Sequence, residues 1–141
     1  MNSLESQVVV EAPAEVVFEV LRDIRARGDD VPAFQAVEIS GETDDGFIAT
    51  MHEHYGGRDV RIVSRFRFER PVWLSYEHIE GPYGANEGRF TLTADGTETT
   101  VHQIHRTEQD VSVGSELREQ WLQLMRDQLE AVKRAAERTV A

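Results

Sequence analysis

Histidines are the side chains of this sequence best suited to hold a metal or move a proton. His52-x-His54 puts two imidazoles on one face of an extended segment, a spacing that can share a metal ion. A site needs a third ligand, and Glu42 and Asp59 are the acidic residues within reach of a guess. We therefore expect solvated surface histidines there and no metal. His78 and His105 lie in more apolar surroundings, where an imidazole titrating near neutrality can act as general acid or base. The plainer role for each is a ring hydrogen-bonded to a ligand or to a neighbouring strand. The chain has no cysteine, which removes disulfides, thiolate zinc sites, iron–sulfur clusters and a thiol nucleophile together. It also lacks a G-x-S-x-G elbow and a phosphate-cradling P-loop, so no cofactor is called for. The acidic pairs Asp29-Asp30 and Asp44-Asp45 fall in loops and serve to solvate them.

The elements that would position these groups follow from periodicity. Leu4 to Glu11 contains Val8-Val9-Val10, a β-branched run that favours a strand. Pro13 suits a first helical position, and Val16, Val17, Val20, Leu21 and Ile24 follow at helical spacing until Gly28. Asp29 to Phe34 reads as a second short helix or a turn. From Ala36 the period becomes two, giving strands over Val37–Ser40, Phe47–His54, Val60–Phe68, Val72–Glu80, Gly88–Thr93 and Thr99–Arg106. Turn residues separate them, among them Asp45-Gly46, Gly56-Gly57, Gly81-Pro82 and Asp95-Gly96. Connections this short require antiparallel neighbours. A long helix from Ser115, its N-cap, to Thr139 turns Leu117, Trp121, Leu124, Met125, Leu129 and Val132 to one side. The fold class is α+β: a curved antiparallel sheet of six to seven strands around a long C-terminal helix, one domain over residues 1–141.

Alternation assigns the faces, since one face must carry the apolar set. Phe47, Ala49 and Met51 point inward, against Thr50, His52 and His54. Ile62, Ser64, Phe66 and Phe68 oppose Arg61, Arg65 and Arg67. Both faces of the Val72 strand carry large apolar groups; we place Leu74, Tyr76 and His78 inward and Trp73, Glu77 and Ile79 outward. Phe90 and Leu92 are inward on the next strand. On the last strand Val101, Gln103 and His105 share one face and His102, Ile104 and Arg106 the other.

The sequence resembles the START-like (SRPBCC, Bet v 1-like) superfamily, in particular its polyketide cyclase/dehydrase branch. The resemblance is carried by Val8-Val9-Val10-Glu11-Ala12-Pro13-Ala14-Glu15-Val16-Val17-Phe18 with Asp23-Ile24, by Tyr76-Glu77-His78-Ile79-Glu80-Gly81-Pro82, and by the final helix with Trp121. It covers nearly the whole chain, through the order and spacing of the motifs. It implies a helix-grip fold with a cavity between sheet and helix that holds an apolar small molecule. It also implies that Gln103, where the cyclases often keep a cavity glutamine, faces inward with His105. The ligand-lining set is then Phe34, Met51, Ile62, Ser64, Phe66 and Tyr76, with His78, Phe90, Gln103 and His105. Trp121, Leu124 and Met125 complete it from the helix. The cyclases typically carry a tyrosine after the first helix and an arginine on the strand of the cavity serine. Here those positions read Phe34 and Phe66, while Ser64 is kept, so that particular proton chemistry is missing. A slip of one residue would instead bring in Arg65 or Arg67 and turn Phe66 and Phe68 to solvent.

Fifteen basic against 26 acidic residues leave a net charge of −11, which disfavours nucleic acid and anionic lipid surfaces. No apolar run reaches the length of a membrane-spanning helix and no secretory signal is visible, so the expected compartment is the cytoplasm. The expected function is binding of an apolar, aromatic or polyketide- or lipid-like small molecule. The alternative is a cyclase or dehydratase using cavity groups, with His78 and His105 as its candidate catalytic residues. A third reading is a partner-protein-binding module, for which Trp73 and Ile79 could supply an outer apolar patch. Gly81-Pro82-Tyr83-Gly84 reads either as a mobile cavity lip or as a plain turn. Oligomeric state stays open.

Overall fold

In the computed structural model, residues 2–26, 34–55 and 57–141 are described. The elements run β1 (Asn2–Val10), α1 (Ala14–Arg22), β2 (Phe34–Thr43), β3 (Gly46–Tyr55), β4 (Arg58–Glu69), β5 (Trp73–Glu80), β6 (Asn86–Asp95), β7 (Glu98–Thr107) and α2 (Glu116–Val140). The seven strands form one curved antiparallel sheet in the order β1-β7-β6-β5-β4-β3-β2. This is the expected helix-grip architecture.

Every strand but β5, which starts one residue late at Trp73, is longer than its apolar core alone predicts, because backbone pairing continues past the last alternating side chain. β6 shows this best: it starts at Asn86, two residues before Gly88. Pro13 is the N-cap of α1 and not its first helical residue, with extended backbone at φ −66° and ψ 154°. α1 ends at Arg22; the expected stop at Gly28 and the short element over 29–33 lie outside the described residues, and Phe34 itself opens β2. At α2, Ser115 caps as its residue type requires: its hydroxyl accepts from the Arg118 amide at 3.1 Å.

Two apolar clusters hold the sheet and helices together. The larger joins Val10, Phe18, Phe68, Leu74 and Val101 to Leu129, Val132 and Ala136 of α2. Leu129 and Val132 are almost completely removed from water, worth about 1.5–3 kcal/mol each. The smaller packs Leu4 and Val111 on Trp121 and Met125. The register agrees with the assigned faces: Phe66 pairs with Phe47 on one side and Tyr76 on the other, all pointing inward. Phe47 and Phe66 stack at 4.9 Å between ring centres, 14° from parallel. Arg65 is on the outer face, 3.0 Å from Glu77, so the one-residue slip is excluded.

Candidate functional site

Between the two clusters the sheet and α2 do not close. A cavity of about 80 Å³ remains, with walls taken from both. Its apolar side comes from Phe34, Met51, Ile62, Phe66 and Phe90 on the sheet and from Leu124 and Met125 on α2. Tyr76, His78, Gln103 and His105 supply polar atoms, and Trp121 closes the helix side. Ser64 stands apart from the other residues read from sequence. It is fully buried and points inward, but it lies off the cavity wall and its hydroxyl has no hydrogen-bond partner. Five further residues line the cavity: Ile24, Glu53, Tyr83, Asn86 and Gln128. Glu53 was within reach of the sequence, since it continues the parity of Phe47, Ala49 and Met51.

The polar atoms form one connected chain. Gln103 Nε2 donates to the Tyr76 hydroxyl at 3.0 Å, and that hydroxyl lies 2.6 Å from His105 Nδ1. His105 Nε2 is 3.1 Å from Asn86 Oδ1. Asn86 spends its amide hydrogens on the carbonyls of Tyr83 and Gly84, at 3.1 and 3.2 Å, so its oxygen must face the histidine. His105 therefore carries its proton on Nε2, donates it to Asn86, and accepts the Tyr76 hydroxyl proton at Nδ1. Burial pushes the His78 ring down to about 4. Burial first, and the neighbouring His78 second, push His105 down to about 4 as well. Both rings are neutral at pH 7. Gln103 Oε1 and Trp121 Nε1 are buried without partners, an acceptor and a donor left for something else to meet.

Asn86 also ties the segment after β5 to this chain. Tyr83 accepts a second bond from Gln109 Nε2 at 2.9 Å, and Glu108 receives the Ala85 amide at 2.8 Å. The lip over Gly81–Gly84 is thus a pinned turn, with Tyr83 edge-on to Trp121 at 5.7 Å. Gly84 has φ +69°, and a Cβ there would collide with the Glu108 carboxylate.

The remaining sequence candidates lie elsewhere. His52 and His54 are on the outer face, His54 held 2.6 Å from Asp59. Among the described residues no group of three or more His, Asp or Glu could hold a metal ion. Trp73 is covered by the Arg89 guanidinium at 4.4 Å and donates to Glu69, and the exposed Ile79 lies six residues further along β5, so the two form no common patch. An outer hollow lined mainly by Arg65, Arg67, Arg89 and Arg106 with Glu77 and Glu87 is rich in charge and unlike the cavity.

Solved structures share this arrangement. The Zhui aromatase/cyclase from Streptomyces sp. R1128 superposes with a TM-score of 0.86 at 26% identity, over 99% of this chain and 96% of that one. The chain has the START-like helix-grip fold. A START superfamily protein from Mycobacterium smegmatis matches the START-like chain with a TM-score of 0.73 at 16% identity, over 98% of this chain and 96% of its own. The di-domain aromatase/cyclase StfQ of the steffimycin pathway gives 0.77 at 19%, over 96% of this chain and 45% of the larger protein. No family model and no curated protein matches the sequence. No helix among the described residues is long and apolar enough to cross a membrane.

Proposed function

We propose that this protein binds a small, mostly apolar, ring-containing molecule in the cavity, and that a carbonyl or hydroxyl of that molecule is oriented at the Tyr76 end. The observation that carries this reading is the convergence of Gln103, Tyr76 and His105 on one end of an otherwise apolar cavity. Few, well-placed polar groups in an apolar lining are the usual composition of small-molecule sites. The free Gln103 oxygen and the Trp121 indole N–H are further points for a ligand to meet. The test is titration of a Trp73→Phe variant, whose remaining indole is Trp121, with ring compounds such as naphthol. Saturable quenching with a raised melting temperature supports the reading. No change in either overturns it.

One observation favours a second reading, proton-transfer chemistry of the cyclase or dehydratase kind. The Tyr76 hydroxyl donates to a neutral imidazole whose other nitrogen is fixed as a donor, an arrangement that can lend or take a proton at a ligand oxygen. The similarity to aromatase/cyclases is in keeping with it. Phe34 and Phe66 on the cavity wall supply no acid or cation, and Tyr76 and His105 are the hydrogen-bonded pair through which such chemistry would run, with His78 and Glu53 the other titratable groups beside them. Turnover of a poly-β-ketone substrate by the wild type, lost in Tyr76→Phe and His105→Ala, would establish it. Binding without turnover would leave the first reading alone.

A further inference from the structure

Among the described residues that line the cavity, Glu53 is the one carboxylic acid. It sits on β3 two residues beyond Met51, facing inward, with 4% of its surface exposed. Its cross-strand neighbours are Phe34 on β2 and Val60 on β4, both apolar. No side chain or backbone group among the described residues hydrogen-bonds its carboxyl. The other titratable groups on the wall are His78, His105, Tyr76 and Tyr83; α2 brings the neutral Gln128, and no charged side chain among the described residues faces it. Burial alone pushes the Glu53 carboxyl up to about 8. Carrying a charge in such surroundings is costly, and a cationic group of a ligand would offset that cost.

We propose that Glu53 recognises a basic amine, so that the molecule taken by this cavity is an arylalkylamine with its ring in the apolar section and its nitrogen at the Phe34–Glu53 end. This rests on the cavity-binding reading above and names the ligand class for it. An alkylammonium, like the lysine side chain, titrates near ~10, above the Glu53 carboxyl, so the proton belongs on nitrogen when the two meet. If a free amine enters, the carboxyl O–H bond breaks and an N–H bond forms on the nitrogen lone pair, leaving an ammonium carboxylate pair. If the ammonium enters from solution near pH 7, the Glu53 proton leaves to solvent and the same pair forms. A charge-assisted bond of this kind is about twice as strong as one to a neutral hydroxyl. The Phe34 ring at that end offers a π surface to the cation, and the net charge of −11 draws cations toward the protein.

The test compares three probes of one shape: 2-phenylethylamine, 2-phenylethanol and ethylbenzene, titrated calorimetrically at pH 7 in two buffers of different ionisation enthalpy. The amine should bind at least about tenfold more tightly than the alcohol and release about one proton per molecule bound. In Glu53→Gln, an isosteric change of a group that is uncharged at this pH, the amine preference and proton release should both vanish while alcohol and hydrocarbon still bind. Glu53→Leu provides a second variant with no polar atom. Alcohol and hydrocarbon binding without amine preference, or a preference retained in Glu53→Gln, overturns the assignment and leaves cavity binding intact. Failure of all three probes overturns both.

Discussion

Tyr76 and His105 are hydrogen-bonded across a strand to which neither belongs. Tyr76 lies on β5 and His105 on β7, and each is the register partner of Gly88 on the intervening β6. Neighbouring strands are about 4.8 Å apart, so the tyrosine must lie flat over β6 to reach the imidazole. Only a residue without a side chain leaves that space. A Cβ at Gly88 would fall 2.7 Å from Tyr76 Cε1 and closer still to Cζ and the hydroxyl.

Gly88→Ala should therefore act through Tyr76. The ring would be lifted from the sheet and its bonds to Gln103 and His105 lost, destabilising the protein by about 1–3 kcal/mol. In a Tyr76→Ala background the same substitution should cost close to nothing. A double-mutant cycle by urea denaturation reads the difference; equal costs in both backgrounds would show that Gly88 serves the backbone alone.

Stability should peak near pH 6.5. His78 and His105 have folded values lowered to about 4, so between there and 6.5 the unfolded chain binds more protons and stability rises with pH. Glu53 is raised to about 8, so from its ordinary value up to 8 the folded chain binds more protons and stability falls with pH. Two rising contributions outweigh one falling one below 6.5, and only the falling one remains above it. Thermal denaturation across pH 4–9 measures the curve, and Glu53→Gln should flatten its alkaline side.

The histidine tautomer should depend on Asn86. Asn86→Ala removes the acceptor for His105 Nε2–H and both bonds to the lip. We expect the ring to exchange between tautomers, visible in its ¹⁵N shifts, with unchanged far-UV circular dichroism. A single unshifted tautomer would mean that Tyr76 alone fixes the proton.

Much of this was legible in the sequence because alternation fixes side-chain faces strand by strand. Phe47 to Met51, Ile62 to Phe68, and Phe90 with Leu92 could point only one way without exposing a row of apolar groups. The Tyr76 strand was harder, because Trp73 on its outer face is large too; there the outer tryptophan is sheltered by Arg89, which alternation does not reveal. Glu53 escaped notice because a carboxylate at the end of a strand reads as solvated. Asn86 escaped because pairing carries β6 two residues past its apolar pattern, whereas Tyr83 was legible only as part of the lip segment. Ser64 was inward as expected, but burial and contact with a cavity are different properties, and alternation reports only the first.

Phe66→Arg and Arg65→Ala separate the two faces experimentally. Phe66 is buried and stacked on Phe47, so an arginine there forces a guanidinium into an apolar wall and should cost several kcal/mol. Arg65 is 43% exposed in its pair with Glu77, and its loss should change stability by about 0.5 kcal/mol or less. Chemical denaturation of the two variants checks both.

The strand order has a kinetic side. β2 through β7 join in a series of hairpins, each closing a short stretch of chain, whereas β1 pairs only with β7, from Val10–Thr99 to Asn2–Thr107. Closing so long a loop is slow until its target exists, and that target is the last strand to be made. The N-terminal strand is accordingly the final piece to dock. Val10→Ala, at the buried end of β1, should speed unfolding and leave refolding nearly unchanged in stopped-flow experiments. On a ribosome β1 stays without its strand partner until β7, ending at Thr107, has emerged.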